Sequence, residues 1–197
     1  DKVINLGIPH VGELIFESID TPGLIKCLEV SETWKVLAEN VLTKRKGVML
    51  EACENGETKV VQLLLERCNS EESGLNIKNK RGVTALMWAC LNGHKDVVKL
   101  LLDQSERIDL NARSDSGGTA LMWACYDGQK DVVKLLLDHS ERIELNARNN
   151  YGETALMLAC GHGHKDVVKL LLDHSDIIDL NARNNNGRTP FMGACIN

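Results

Sequence analysis

An all-α repeat solenoid is the fold class this sequence predicts, and three observations predict it. The stretch Thr84 to Asp103, TALMWACLNGHKDVVKLLLD, returns three more times along the chain, the last copy incomplete. Its threonines, Thr84, Thr119, Thr154 and Thr189, stand a constant 35 residues apart, and Cys90, Cys125, Cys160 and Cys195 keep the same step. A fixed period of this length marks one supersecondary unit stacked on copies of itself. Composition agrees, because 43% of the 197 residues are hydrophobic and only 4% aromatic, which suits aliphatic helical packing better than an enzyme built round a large pocket.

Each element of the unit follows from its residues. Thr84 is placed to cap a first helix by accepting from an orphan backbone N–H, and Gly93 can take the left-handed conformation that ends it. A second helix starts at Lys95-Asp96, with an acid in its first turn, and carries Val97, Val98, Leu101 and Leu102 on one apolar face. Asp109-Leu110-Asn111-Ala112-Arg113 then reads as a short extended piece, and Asp115-Ser116-Gly117-Gly118 as a turn before the next capping threonine. So short a helix pair cannot bury its apolar face alone, so the core must form between neighbouring units.

Gly82, Thr84, Leu86, Ala89, Gly93-His94, Val97-Val98 and the leucines that follow make the unit similar to an ankyrin repeat, over about the last three quarters of the chain. The resemblance implies a solenoid of helix pairs that binds other proteins. Two departures stand out. The family's Thr-Pro-Leu-His is Thr84-Ala85-Leu86-Met87 here, with proline only at Pro190, so the first turn is less preorganised and lower stability is expected. The period exceeds the family's usual value of about 33, and the added residues fall between Leu102 and Asn111, so the second helix or its exit loop is predicted to be longer.

Residues 1–46 do not share the repeat and form a separate module, while 47–197 hold about four repeats and a truncated fifth. Leu14, Ile15, Ile19, Leu24, Ile25, Leu28, Val36, Leu37, Val41 and Leu42 recur at helical spacing, interrupted by Pro22-Gly23, so two or three short helices are predicted. Ile15-Phe16, Ile19-Asp20, Leu24, Val30 and Trp34 stand in register with the F-box pattern, which this segment resembles. Ile8-Pro9 stands for the family's Leu-Pro, one residue nearer than usual, and His10-Val11 lacks the customary acid. The resemblance implies that Pro9, Ile15, Phe16, Leu24, Ile25, Val30 and Trp34 serve docking to a Skp-type adaptor of a cullin ligase. The other reading is a helical cap over the first repeat, which every solenoid end needs. Gly47 to Gly56 begins a first repeat stripped of its turn and threonine, and the polar stretch Asn69 to Gly74 that follows its second helix is expected to be its most mobile loop. The sequence starts at Asp1 and stops inside a first helix, so both ends read as cut.

A net charge of −5 without long single-sign runs indicates neither a nucleic-acid footprint nor a membrane-surface helix, and no apolar run reaches bilayer-spanning length. Five of the seven cysteines, Cys53, Cys90, Cys125, Cys160 and Cys195, occupy one equivalent position. Stacked helices lie about 8–10 Å apart, too far for a disulfide, so a ladder of buried reduced thiols is expected, fitting a cytoplasmic or nuclear protein. Cys160-Gly161-His162-Gly163-His164 imitates a metal cluster, but Cys160 and His164 are repeat positions, and no set of four ligands is in view. Ser105, Ser140 and Ser175 near His139 and His174 are periodic loop residues rather than a triad. No cofactor is expected, and no catalysis.

Partner selection belongs to positions that change from unit to unit. On the concave face that the ankyrin resemblance implies, these are Lys80, Arg81, Val83, Leu91 and Asn92, then Asp115, Ser116, Gly118, Tyr126 and Asp127, then Asn150, Tyr151, Glu153, Gly161 and His162. Tyr126 and Tyr151 are the expected anchors. Trp88 and Trp123 suit inter-repeat packing or partner contact equally. Lys95, Asp96, Lys99 and Asp103 repeat too faithfully to encode specificity and read as a solvated outer face. Taken together the resemblances imply the substrate-recognition subunit of an SCF-type ubiquitin ligase, monomeric outside its complex. The alternative is an ankyrin scaffold with a capped end.

Overall fold

The computed structural model describes residues 19, 21–27, 36, 38, 41, 47–67 and 75–195, excluding the side chains of residues 21 and 25. A short helix α1 (Thr21–Cys27) precedes the array. Four helix pairs follow: α2 (Val48–Asn55) with α3 (Thr58–Arg67), α4 (Ala85–Leu91) with α5 (Lys95–Leu102), α6 (Ala120–Tyr126) with α7 (Lys130–Leu137), and α8 (Ala155–Gly161) with α9 (Lys165–Leu172). A last helix, α10 (Pro190–Ala194), opens a fifth unit. First helices pack in the series α2, α4, α6, α8, α10, and second helices in the series α3, α5, α7, α9. Among the described residues the regular structure is thus helical, save an isolated antiparallel bridge between Lys78 and Thr84 in one turn.

The predicted boundaries are met for physical reasons. Thr84, Thr119, Thr154 and Thr189 each accept, through Oγ1, from the backbone N–H three residues on, at 3.3–3.4 Å. Met87 joins the first of these caps, its sulfur accepting from the Thr84 N–H at 3.5 Å. The second helices end at Leu102, Leu137 and Leu172, and the extra length of the unit lies in their exits. There Gln104, Ser105 and Arg107 donate three residues back, to Leu101, Leu102 and Gln104, in a tight non-α turn.

The core lies between units. Ala85, Leu86, Ala89 and Cys90 of α4 are at most 1% exposed, as are Val97, Val98 and Leu101 of α5. Cys53, Cys90, Cys125 and Cys160 are free and buried in one file, whereas Cys195 is exposed. Burial pushes the Cys53 thiol up to about 12 and raises those of Cys90, Cys125 and Cys160 as well, Cys90 being further raised by its neighbours Cys53 and Cys125.

Two polar ladders tie each unit to the next. Asn111 donates to the Arg142 carbonyl at 2.8 Å and accepts from the Glu144 N–H at 2.8 Å. Asn76 holds Arg107 and Asp109 in the same way, and Asn146 holds Ile177 and Asp179. At the helix elbows the Nε2–H groups of His94 and His164 donate at 2.9 Å to the carbonyls of Glu54 and Tyr126 one unit back, and Gln129 does the same to Leu91 at 3.1 Å. Gly128, at φ +71°, lies directly under the His164 ring.

Of the residues given to the F-box-like module, Pro9, Ile15, Phe16, Val30 and Trp34 lie outside the described residues, as does the side chain of Ile25. The stretch from Asn69 to Gly74, expected to be mobile, lies outside them too. Leu24 is the exception and needs correcting as a docking residue. It is fully buried, and with Cys27, Ala38 and Val41 it belongs to the same continuous core as the repeats. An apolar side chain with no surface of its own packs the chain and cannot meet an adaptor.

Candidate partner-binding face

The turn tips and the ends of the first helices line one side of the array. Each tip is built by a polar residue at its base. Asn149 Oδ1 accepts from the N–H groups of Tyr151 and Glu153, both at 2.9 Å, and Asn79 and Asn184 do the same in their units, while Ser114 Oγ accepts from Gly118. Tips are joined to one another: the Asn150 N–H donates to the Ser116 carbonyl and the Asn185 N–H to the Tyr151 carbonyl, each at 3.0 Å. The backbone beneath Tyr151 is therefore held from both sides, which presents its side chain on a fixed base.

Most of the expected residues do reach this surface. Tyr126 is 46% and Tyr151 67% exposed, and Lys80, Arg81, Asp115, Ser116, Asp127 and His162 are exposed around them. Leu91 and Glu153 are half-buried. Val83 is corrected: at 5% exposure it packs inward, because a branched aliphatic side chain at this position folds under its own turn. The exposed Asn92 and Asn150 spend their amides on stacking, donating to the carbonyls of Glu54 at 3.0 Å and Asp115 at 2.8 Å. Trp88 and Trp123 are half-buried and pack against the core.

Between the third and fourth units a groove of about 290 Å³ opens among Trp123, Tyr126, Tyr151, Glu153 and Leu158. Two of its lining residues depart from the repeat. Gly118 stands where other units carry Val83, Glu153 and Arg188, and Leu158 stands where two carry tryptophan. Trp123 Nε1 is buried beside Gly118 and, among the described residues, is the one buried side-chain nitrogen or oxygen without a hydrogen-bond partner. The Tyr126 ring leans on His162, centroids 4.3 Å apart. Asn149, which supports Glu153 through Nδ2 at 3.0 Å, was missed by sequence reasoning, although its four-residue spacing to Glu153 matches that of Asn79 to Val83.

Among the described residues no three His, Cys, Asp or Glu side chains converge on a metal position, and His162 and His164 face the Leu158 and Tyr126 carbonyls. Among the described residues no helix is long and apolar enough to cross a membrane.

Comparison with known proteins agrees with the geometry. Over 40 residues the chain is 55% identical to osteoclast-stimulating factor 1 of Monopterus albus and 50% identical to that of Danio rerio. Each match takes in 20% of this chain and spans about a fifth (19%) of the length of the curated relative. A family model described as ankyrin repeats matches in three copies, over residues 48–149 and 141–197. The capped helix pairs, the buried seam between units and this match have one reading: the chain belongs to the ankyrin-repeat family, whose arrays mediate protein–protein binding.

Proposed function

We propose that the protein is an adaptor that captures a protein partner on the face formed by the turn tips and first helices, centred on Tyr126 and Tyr151. One observation carries this reading. Side chains identical from unit to unit are taken up in caps, core, ladders and a repeating outer charge pattern, while the turn tips and first-helix ends expose side chains that vary. The outer face offers little to select with, since Lys95 pairs with Asp131 at 3.6 Å and Lys130 with Asp166 at 3.5 Å, in a pattern that repeats. Replacing Arg81, Tyr126, Tyr151 and Glu153 together with alanine should abolish capture of the partner without a large drop in melting temperature. Replacing Lys95, Lys99 and Lys134 should leave capture intact, and the reverse outcome moves the site to the second helices.

A finer reading makes the protein the substrate-recognition subunit of an SCF-type ubiquitin ligase, with residues 1–46 on a Skp-type adaptor. Its support is the register of Ile15, Phe16, Leu24, Val30 and Trp34 in the sequence. The competing reading, a scaffold whose N-terminal helix caps the array, is favoured by the burial of Leu24, Cys27, Ala38 and Val41 in the core shared with the repeats. Full-length protein mixed with recombinant Skp-type adaptor should co-elute from a sizing column as a stoichiometric complex. Separate elution at micromolar concentration leaves the capped scaffold.

A further inference from the structure

The groove between the third and fourth units has a chemistry specific enough to name what enters it. Its walls are the rings of Trp123, Tyr126 and Tyr151 and the side chain of Leu158, and among its lining residues only Glu153 carries a charge. That carboxylate is half-buried. Its Oε2 accepts from Asn149 Nδ2 at 3.0 Å, and among the described residues it forms no ion pair. A partly desolvated carboxylate without a counter-charge leaves favourable electrostatic energy unclaimed. The exposed carboxylates of Asp115 and Asp127 stand next in sequence to the lining residues Ser116 and Tyr126, and Arg188, which shares a second groove with Glu153, forms no ion pair with it.

We propose that this groove takes the cationic side chain of an extended protein segment, an arginine above all. An arginine matches the site atom class by atom class. Its aliphatic stem suits the Leu158 and Trp123 walls, and its planar guanidinium can stack on the tyrosine rings while it hydrogen-bonds to the carboxylate. An acidic residue would meet Glu153 with like charge, and a leucine would leave that carboxylate unpaired under cover. The two tyrosines are exposed, on a helix end and on a turn tip tied to both neighbouring tips, so the site exists before its occupant arrives. The inference rests on the reading of this face as the partner surface and adds the class of residue it selects.

The indole N–H of Trp123 lacks an acceptor and lies in the groove lining, so its NMR resonance reports on occupancy. Full-length protein is titrated with the capped peptides Gly-Gly-Arg-Gly-Gly, Gly-Gly-Leu-Gly-Gly and Gly-Gly-Glu-Gly-Gly, and Trp123→Phe assigns the signal. The arginine peptide should shift it saturably and the other two should not, with binding about fivefold weaker in Glu153→Gln, as expected for one partly exposed ion pair. Gln keeps the acceptor for Asn149, so the fold is preserved. Equal shifts from the leucine or glutamate peptide, no shift from the arginine peptide, or unchanged affinity in Glu153→Gln would overturn the proposal. A captured partner separates the two readings. If Tyr126→Ala with Tyr151→Ala releases it while Glu153→Gln holds it and excess arginine peptide does not compete, the face stands and the arginine groove falls. If neither variant matters, both fall.

Discussion

Substituting Gly128 by alanine tests whether the imidazole ladder contributes to stacking or merely decorates it. Gly128 has φ +71°, and an added Cβ would sit 2.7 Å from Cε1 of His164, whose Nε2–H donates to the Tyr126 carbonyl at 2.9 Å. Holding alanine in the left-handed region costs about 1–2 kcal/mol. Displacing the ring from its hydrogen bond costs about 1 kcal/mol more, so the full loss should be about 2–3 kcal/mol. The two parts can be separated. In a His164→Ala background the ring is gone, and Gly128→Ala should cost only the backbone share, giving a coupling of about 1 kcal/mol in the double-mutant cycle. Gly187→Ala supplies the backbone reference, because Gly187 has φ +75° and nothing lies within 4 Å of where a Cβ would sit. Urea melts of all five proteins, wild type included, give the numbers. A coupling below about 0.3 kcal/mol would refute the argument, since independent sites already agree to that level.

Further outcomes follow from the packing, the clamps and the outer ion pairs. The thiols of Cys90 and Cys125 should resist a water-soluble thiol reagent in folded protein while the exposed Cys195 reacts at once, and Cys125→Leu should overpack the stack by about 1–3 kcal/mol. Cys53 is raised from its ordinary value of 9.0 to about 12, so it keeps its proton where the unfolded chain loses one. Stability should therefore be intact below that ordinary value and fall as pH rises through the window up to the folded one, by about 1.4 kcal/mol per pH unit for each such thiol, read from urea melts across that range. Asn111→Ala removes both hydrogen bonds of one clamp and should cost about 1–3 kcal/mol, measured against Asn181→Ala, whose side chain makes no such clamp. Lys130→Ala breaks an exposed ion pair and should change stability by less than about 1 kcal/mol, an effect that disappears in high salt.

The helices were legible because the same physical demand is written several times over. Thr84, Thr119 and Thr154 must cap, and Val132, Val133, Leu136 and Leu137 must be buried, so chance cannot imitate the agreement between copies. The clamps were less legible. Asn76, Asn111 and Asn146 also recur every 35 residues, yet an asparagine in a polar stretch looks like any turn former, and its partner lies 31 to 33 residues on. Val83 misled for a related reason. Variation among Val83, Gly118, Glu153 and Arg188 suggested a partner surface, but valine answers to burial where the charged residues answer to solvent. Leu24 shows the same limit at the other end, since a hydrophobic residue's preference for cover does not say whose surface covers it.

The Asn111 clamp grips only main-chain atoms, the Arg142 carbonyl and the Glu144 N–H, so it is indifferent to which side chains those residues carry. With KDVVKLLLD spelled identically at Lys95, Lys130 and Lys165, the second-helix seam of each joint is interchangeable with the next. A gene duplicating or deleting one 35-residue unit in frame would thus produce an array whose new junction is already fitted, lengthened or shortened without redesign. The same interchangeability carries a hazard during refolding. A chain at high concentration can seat one unit against the matching unit of another molecule, and domain-swapped oligomers of full stability should accumulate when folding is crowded.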